Sequence, residues 1–547
     1  MKIVNYIKNN IWMSTLLVFC LFFIIYGSIY LFTDGISAPD DHFFHLKFAY
    51  LLREQGFYVA NNYDWIPIQT HRYSVSLFQA SLIPFTFFKD LFTGLRVSDT
   101  FGAAFSLAVI YFALRKFNFN HAFLMLLILL SSAYFSFRLF YGRGYVLTLG
   151  LVLLELYFMQ KKKYSKFFLV SFFHILWHPS SLFFPPMIAF FTGVSKYLTE
   201  KKIEWKGFLA ALLSIFFGMS IYPGFPRNIF SWVTNLANIS DGANDGLKLE
   251  GNELYAKNSL DMFINNPIFS FLAVISIVLV VYLYIESKNK NPIDENQKEK
   301  LSEVFSFFLM LIFFNLGAIK ISGRFFDYYL LFIVTLWASI LKLLFAKREI
   351  IIGEKISKYI VFACFIFFSY LSLNNFLDLR IKIDNSDYKT IKAPVEWIRD
   401  NSKEKEMVYL QNWSDFTKAF FYNDKNIYSW GMEPKDLNNK SPKLYWKAYS
   451  ILAYSFYCEK QEDCEKDVEA TQKKYEKMSE DDQKKFKKEN SRKIINSIKN
   501  DFGSRFILST SSSFSELIKL NEDLIEDQFE SVSEKDENYK ITAFKLK

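Results

Sequence analysis

Long apolar runs dominate the chain up to residue 375, and charged, polar sequence dominates after it. The first run, Ile11 to Phe32, carries no charge. It is long enough to cross a hydrocarbon core of roughly 30 Å. It outlasts the h-region of a cleaved signal, and Ala38 is followed by Pro39, which opposes cleavage, so it reads as a retained helix. Further apolar segments fall at 76–93, 98–114, 120–137, 144–160, 207–221, 267–285, 303–319, 325–345 and 357–374. This pattern predicts a mainly α, polytopic transmembrane helical bundle over residues 1–375.

The basic residues between the segments assign their sides, because cytoplasmic loops are enriched in Lys and Arg. Lys2 and Lys8 place the N-terminus inside, and Asp34, Asp40 and Asp41 open an outer loop that runs over 34–75. Four full crossings from there would end outside, whereas Lys161-Lys162-Lys163 belongs inside. One stretch, the one that Pro84 breaks and Lys89 follows, is therefore expected to be re-entrant or partial. The stretch 166–191 has basic clusters on both flanks and is too short for two complete spans. Trp177-His178-Pro179-Ser180 and Pro185-Pro186 interrupt it, so it reads as a hairpin of two half-helices. Irregular backbone at that depth is tolerated only where protein or a water-filled cavity buries it, which hints at a site. His174 sits deeper in the same stretch, where a satisfied packing role serves it equally well. The remaining segments alternate and deliver residues 376–547 to the outer face.

That C-terminal portion reads as a soluble extracytoplasmic α/β domain. Residues 388–457 mix aromatic and polar positions in short pieces, with Gly431 and Pro434 as turn signals. The Lys- and Glu-rich stretch 459–500 reads as an exposed helix or mobile insertion. Residues 502–508 and 539–544 alternate like strands.

Composition sharpens the picture in two places. The formal charge of +9 sits largely beside membrane segments, where orientation explains it, so nucleic acid is not an expected partner. No Walker A sequence, zinc-ligand spacing or dinucleotide fingerprint occurs, and Gly142-Arg143-Gly144 does not extend into one. Of 4 cysteines, Cys20 and Cys364 lie in membrane segments. Cys458 and Cys464 lie close together in the soluble part, where an oxidising compartment permits a disulfide.

The chemistry-bearing sequence is the first outer loop, Ser37-Ala38-Pro39-Asp40-Asp41-His42-Phe43-Phe44-His45, which ends in Arg53-Glu54-Gln55-Gly56. If a helix begins at Asp41, His45 lies one turn on along the same face. One carboxylate there can serve as general base, or Asp41 and His45 can help to hold a divalent ion such as Mn²⁺ or Mg²⁺. The plainer reading makes Asp41 an N-cap and Asp40 its solvated neighbour.

An acidic residue shortly before an aromatic pair and a His, after a first span, resembles the GT-C glycosyltransferases. Within them it resembles bacterial relatives of the oligosaccharyltransferase catalytic subunit and of protein O-mannosyltransferases. The resemblance implies that Asp41, with Asp40 beside it, is the catalytic or metal-binding acid. It also places His71, ahead of Leu82-Ile83-Pro84-Phe85, at a cavity position. Arg138 and Arg143 occupy an outer-face turn where such relatives carry an Arg, and His178-Pro179 resembles the turn of their broken helix pair. Ser322-Gly323-Arg324-Phe325 resembles the motif that opens a late helix and contacts the carrier phosphate; a guanidinium suits phosphate. Read without the resemblance, an Arg at a helix end simply snorkels to head groups.

The implied activity is transfer of a sugar from a polyprenyl-phosphate or polyprenyl-diphosphate donor to an acceptor on the outer face of the plasma membrane. A divalent cation is the one cofactor implied. A transporter or flippase of a lipid-linked saccharide, or a non-catalytic assembly protein, would use the same charged residues for recognition. Two broken segments in matching halves, the mark of inverted repeats, are not evident.

Overall fold

A computed structural model describes residues 10–36, 41–56, 65–67, 75–119, 121–201, 204–222, 224–230, 261, 264–289, 295–348, 354–431, 434–458, 475 and 478–547. Asp40, His71, Cys464 and residues 459–474 of the charged insertion lie outside them. By packing, the chain divides into a first unit of Met1–Ser37, Ser74–Gly246 and Gly251–Asp384, and a second of Ala38–Tyr73, Leu247–Glu250 and Asn385–Lys547.

The first unit is helical. Helix α1 (Ile11–Leu31) starts where Asn10 accepts a bond from Met13 N at 3.1 Å. Its buried face is Ser14, Val18, Phe22, Tyr26 and Ile29, spaced three to four apart. The second described helix, α2 (Asp41–Gln55), belongs to the other unit. The stretch 76–93 is indeed partial. It holds only the short α3 (Leu77–Ser81) and a 3₁₀ turn (Ile83–Phe87) with Pro84 in its first turn. Asp90 then caps α4 (Leu91–Lys116), as an acidic N-cap does. Its carboxylate accepts from Phe92 N at 3.2 Å and from Thr93 N at 3.2 Å. The span expected at 98–114 therefore begins earlier, at Leu91.

The span expected at 120–137 is two short helices, α5 (Ala122–Leu130) and α6 (Ala133–Arg138). Two serines explain the break, since a serine hydroxyl competes for backbone partners. Ser131 Oγ donates back to Ile128 O at 2.6 Å, while Ser132 Oγ accepts from Phe135 N at 3.3 Å to start the next helix. Helix α7 (Tyr145–Gln160) is followed by the interrupted pair α8 (Tyr164–Trp177) and α9 (Phe184–Glu200), with a 3₁₀ turn over Pro179–Phe183 between them. His178 is extended (φ −146°, ψ 106°). A residue before proline prefers that region.

Helices α10 (Trp205–Ser220), α11 (Pro267–Asn289), α12 (Glu295–Lys320), α13 (Phe325–Arg348) and α14 (Glu354–Asn385) complete this unit. Charged ends extend two of the apolar runs, so α12 starts before residue 303 and α14 continues past residue 375. Among the described residues 6 helices are long and apolar enough to cross a membrane, and Tyr145–Gln160 and Trp205–Ser220 are shorter apolar ones. The turn between α12 and α13 is tight: a Cβ on Gly317 would lie 2.5 Å from Phe325 Cδ1.

The second unit carries a 5-stranded sheet. Helix α15 (Lys389–Asn401) buries Thr390, Ile391, Pro394, Val395 and Ile398 as one stripe. Its Trp397 stacks on Phe529 of the sheet. Then follow β1 (Met407–Leu410), α16 (Phe416–Tyr422), β2 (Ile427–Tyr428), α17 (Pro434–Lys440), α18 (Pro442–Tyr454), α19 (Glu480–Asn500), β3 (Phe506–Ser509), α20 (Ser512–Lys519), β4 (Ile525–Val532) and β5 (Lys540–Leu546). Strand β1 pairs in parallel with β2 and β3, whereas β5 pairs antiparallel with β3 and β4. The expected strands near 502–508 and 539–544 are β3 and β5, and the charged stretch from Glu480 is the helix α19.

The loop read from sequence as part of the membrane domain packs with this second unit. On α2, Phe44 meets Phe416 and Phe420, and Phe43 meets Phe421 edge-on at 5.2 Å. Lys47 Nζ lies 3.3 Å from Asp424 Oδ1. Trp65 Nε1 donates to Asp424 O at 2.9 Å, and Tyr428 N donates to Trp65 O at 2.7 Å. Cys458 is disulfide-bonded, and Cys20 and Cys364 are free.

Candidate active site

Four of the residues singled out in sequence meet at one end of the first unit. Tyr134 of α6 donates from its hydroxyl to Gly323 O at 3.1 Å, which ties the α6 end to the turn before α13 that bears Arg324. Trp177 Nε1 donates to Gly144 O at 2.7 Å, joining the α8 end to the start of α7 beside Arg143. A Cβ on Gly144 would sit 3.0 Å from Phe78 Cγ and 3.3 Å from His178 Cδ2. Glycine, with no Cβ, lets these elements close up. His178 Nδ1 pairs with Ser180 Oγ at 2.5 Å.

Within this group the arginines differ in environment. Arg138 is 3% exposed, and its Nε donates to Asp327 Oδ2 at 2.7 Å, with Asp327 only 1% exposed. The rings of Tyr134, Tyr141 and Tyr145 surround its guanidinium at 5.4, 4.9 and 4.7 Å. A buried guanidinium so paired pins α6 to α13. Arg138, expected at the carrier phosphate, is therefore engaged with Asp327. Arg143 is half-buried, its guanidinium 5.4 Å from the Tyr141 ring, and Arg324 is exposed at the start of α13.

Asp327 is the residue that the sequence reading passes over. An acid in the first turn of an apolar span is costly unless paired, and that is the available signal. The pairing of Glu155 with His174 is not legible there either, because the two lie in different apolar stretches 19 positions apart.

Asp41 and His45 lie in the second unit. Asp41 is the first residue of α2, and His45 follows one turn later with its ring 5.6 Å from Phe44. The helix beneath them is anchored by its phenylalanines and by Lys47. Burial lowers the Lys47 pKa from the ordinary lysine range, while Asp424 pulls it back up. Among the described residues no group of three His, Cys, Asp or Glu is placed to hold a metal ion. Asp41 and His45 supply two side chains, one oxygen and one nitrogen donor.

The architecture defines the class. The crystal structure of ArnT from Cupriavidus metallidurans bound to undecaprenyl phosphate superposes with a TM-score of 0.51 over 97% of this chain and 97% of that chain, at 9% sequence identity. The fold is thus like that of ArnT, and the chain is a mainly helical bundle with a small C-terminal sheet domain, as expected from the sequence. The family follows from the sequence itself: residues 85–382, more than half the chain, match the EpsG family, and the chain belongs to it. No protein with curated function matches the chain significantly.

Proposed function

We propose that the chain is a membrane glycosyltransferase that moves a sugar from a polyprenyl-phosphate or polyprenyl-diphosphate carrier to an acceptor at the outer face. The observation that carries this reading is the convergence of Arg143, Arg324 and His178 at one end of a GT-C bundle, the fold of a protein crystallised with undecaprenyl phosphate. Arg324 and Arg143 meet the carrier phosphate as charge-assisted donors. Arg138, held by Asp327, positions the turn that carries Arg143. Asp41 accepts the proton of the acceptor hydroxyl. The acceptor oxygen bonds to the anomeric carbon as the bond from that carbon to the phosphate oxygen breaks. The electron pair leaves with the phosphate, where the arginines stabilise the growing charge. Asp41 and His45 are the residues that would hold a divalent ion, which would supply Lewis-acid chemistry there.

The disulfide at Cys458 supports placing the second unit on the oxidising, extracytoplasmic side, with the N-terminus inside. Lys161–Lys163 at the opposite end of α7 from Arg143 agrees with that orientation.

The test is reconstitution of wild type, Asp41→Asn and Arg324→Ala in liposomes with radiolabelled polyprenyl-phosphate sugars, with and without Mn²⁺ or Mg²⁺. Sugar loss from the lipid that depends on both residues is the expected result. Movement of the lipid-linked sugar across the bilayer with no covalent product would replace the transferase reading with transport. Lipid binding without either would leave the assembly role.

A further inference from the structure

Helix α19 carries a run of basic side chains that the transfer reaction does not use. Residues 483–499 hold 7 Lys and Arg and 1 acid, Glu489. The helix is firmly seated in the second unit. Its Asn490, Ile494, Ile495 and Ile498 are buried, and Phe486 stacks on Phe456 at 6.0 Å. Asn490 Nδ2 donates to Ser455 O at 2.9 Å, and Asn521 Nδ2 donates to Lys488 O at 2.9 Å. The opposite face exposes Lys484, Lys485, Lys488, Arg492 and Lys499. Lys484, Lys488 and Arg492 follow one another at intervals of about one turn, with Lys485 beside them, so they form a row. At the helical rise per residue, Lys484 to Lys499 covers about 22 Å.

Helix stability does not account for this row. Cations favour the last helical turn, where Lys499 stands, and the first turn is already acidic with Glu480, Asp481 and Asp482. Lys484, Lys485 and Lys488 lie away from the last turn, and like charges three or four positions apart work against the helix. The acids of the unit do not balance them either. Lys519 and Lys540 meet Glu530 at 2.6 and 3.1 Å, Lys545 and Arg505 meet Glu526 at 2.5 and 2.7 Å, and Arg492 pairs with Asp523. Among the described residues no carboxylate lies within ion-pair distance of the Lys484, Lys485 or Lys488 ammonium group. A row that opposes its own helix and is left unbalanced points to a partner outside the chain.

The chemistry of that partner follows from what surrounds the row. Charges spread over this length exceed the reach of a small anion, so the partner is a polyanion. No residue of α19 is an exposed large hydrophobic. The aromatic and aliphatic anchors of a protein interface are therefore missing from it, as are the rings on which nucleic-acid bases stack and the apolar face that enters a membrane surface. Exposed acids flank the row, with Glu480, Asp481 and Asp482 before it and Glu522 and Asp523 beside Arg492. A planar anionic surface would meet those acids together with the lysines, whereas a narrow polymer can follow the lysines alone.

We propose that the outward face of α19 is a docking surface for a linear acidic polysaccharide, whose carboxylate or phosphate groups pair with Lys484, Lys485 and Lys488 and continue toward Lys499. The choice of a polysaccharide rests on the reading of the chain as an outer-face glycosyltransferase; the basic row does not.

The experiment uses the full chain in neutral phosphatidylcholine nanodiscs and measures binding of fluorescent polygalacturonate, polyglycerol phosphate and neutral dextran. The triple variant Lys484→Gln/Lys485→Gln/Lys488→Gln changes only exposed side chains. Its comparison is Lys519→Gln/Lys540→Gln/Lys545→Gln, which removes the same charge from lysines that already have carboxylate partners. Wild type should bind at least one acidic polymer and not dextran, and binding should weaken as salt rises. The α19 variant should bind tenfold or more weakly at low salt, and the comparison variant within about twofold of wild type. Equal loss in both variants would reduce the effect to net charge and overturn the site. No binding of either acidic polymer overturns it as well. Lysine-dependent binding to phosphatidylglycerol vesicles, with none to the polymers, replaces the polysaccharide with a membrane surface. No sugar donor enters these measurements, so their failure is distinguishable from failure of the transferase assay.

Discussion

Removing the carboxylate of Asp327 should cost far more stability than an ordinary surface ion pair. In Asp327→Ala the Arg138 guanidinium loses its 2.7 Å partner while remaining 3% exposed among three tyrosine rings. An exposed pair contributes about 0–1 kcal/mol, but breaking a buried one leaves an uncompensated charge and costs about 3–5 kcal/mol. The rings recover part of this, since a desolvated cation–π contact contributes about 2 kcal/mol. A net loss of about 1–3 kcal/mol is expected after that offset. Because α6 is pinned to α13 by this pair, Arg143 and Arg324 should lose their relative placement and donor turnover should fall with stability. The assay is denaturant unfolding in detergent of wild type, Asp327→Ala, Arg138→Met and the double Arg138→Met/Asp327→Leu. The double variant should be more stable than either single one, since neither charge is then stranded. Additive losses in the double variant, or a loss below about 1 kcal/mol in Asp327→Ala, would refute the reasoning.

Three further outcomes follow from particular contacts. A Cβ on Gly317 would press on the Phe325 ring. Gly317→Ala should therefore destabilise by about 1–3 kcal/mol through overpacking, and Phe325→Ala in the same chain should relieve it, read by thermal unfolding. The Phe420 ring packs on both Phe44 and Trp65. Phe420→Ala should cost about 3–5 kcal/mol and raise amide exchange over residues 41–55, the helix that bears Asp41. In the second unit, burial works against the charge of Asp501, yet bonds from Lys447 Nζ and Ser497 Oγ at 2.6 Å hold its carboxyl below the ordinary carboxylate range. Glu530 is lowered chiefly by its bond from Lys519. A depressed folded-state pKa stabilises above the unfolded value, so acidification below about pH 4 should unfold this unit progressively, and Asp501→Asn should weaken that dependence in pH-resolved melting.

Some local structure was legible because its causes are local. Pro84 broke the stretch 76–93, and His178-Pro179 interrupted the hairpin, since proline acts on its immediate neighbours. The break at Ser131-Ser132 was missed because a run of apolar residues on both sides outweighs two small polar ones in any hydropathy average. The start of α4 was misplaced for a related reason. Asp90 looks like a charge in a span, and only its bonds to Phe92 N and Thr93 N make it a cap.

Membrane class, the order of apolar segments and a separate, polar C-terminal domain follow from the sequence by itself, because hydrophobic length and charge placement act residue by residue. Arg143, Arg324, His178 and Asp41 could be named there, too, as chemical types at helix ends. Which arginine is engaged was decided only in three dimensions: Arg138 meets Asp327 across 189 positions of sequence. The same holds for the Asp41 helix, whose Phe44 packs on Phe416 and Phe420, residues far away along the chain. Pairing and packing partners are chosen by burial and complementary charge after the chain has folded back on itself, and no local pattern of residues specifies them.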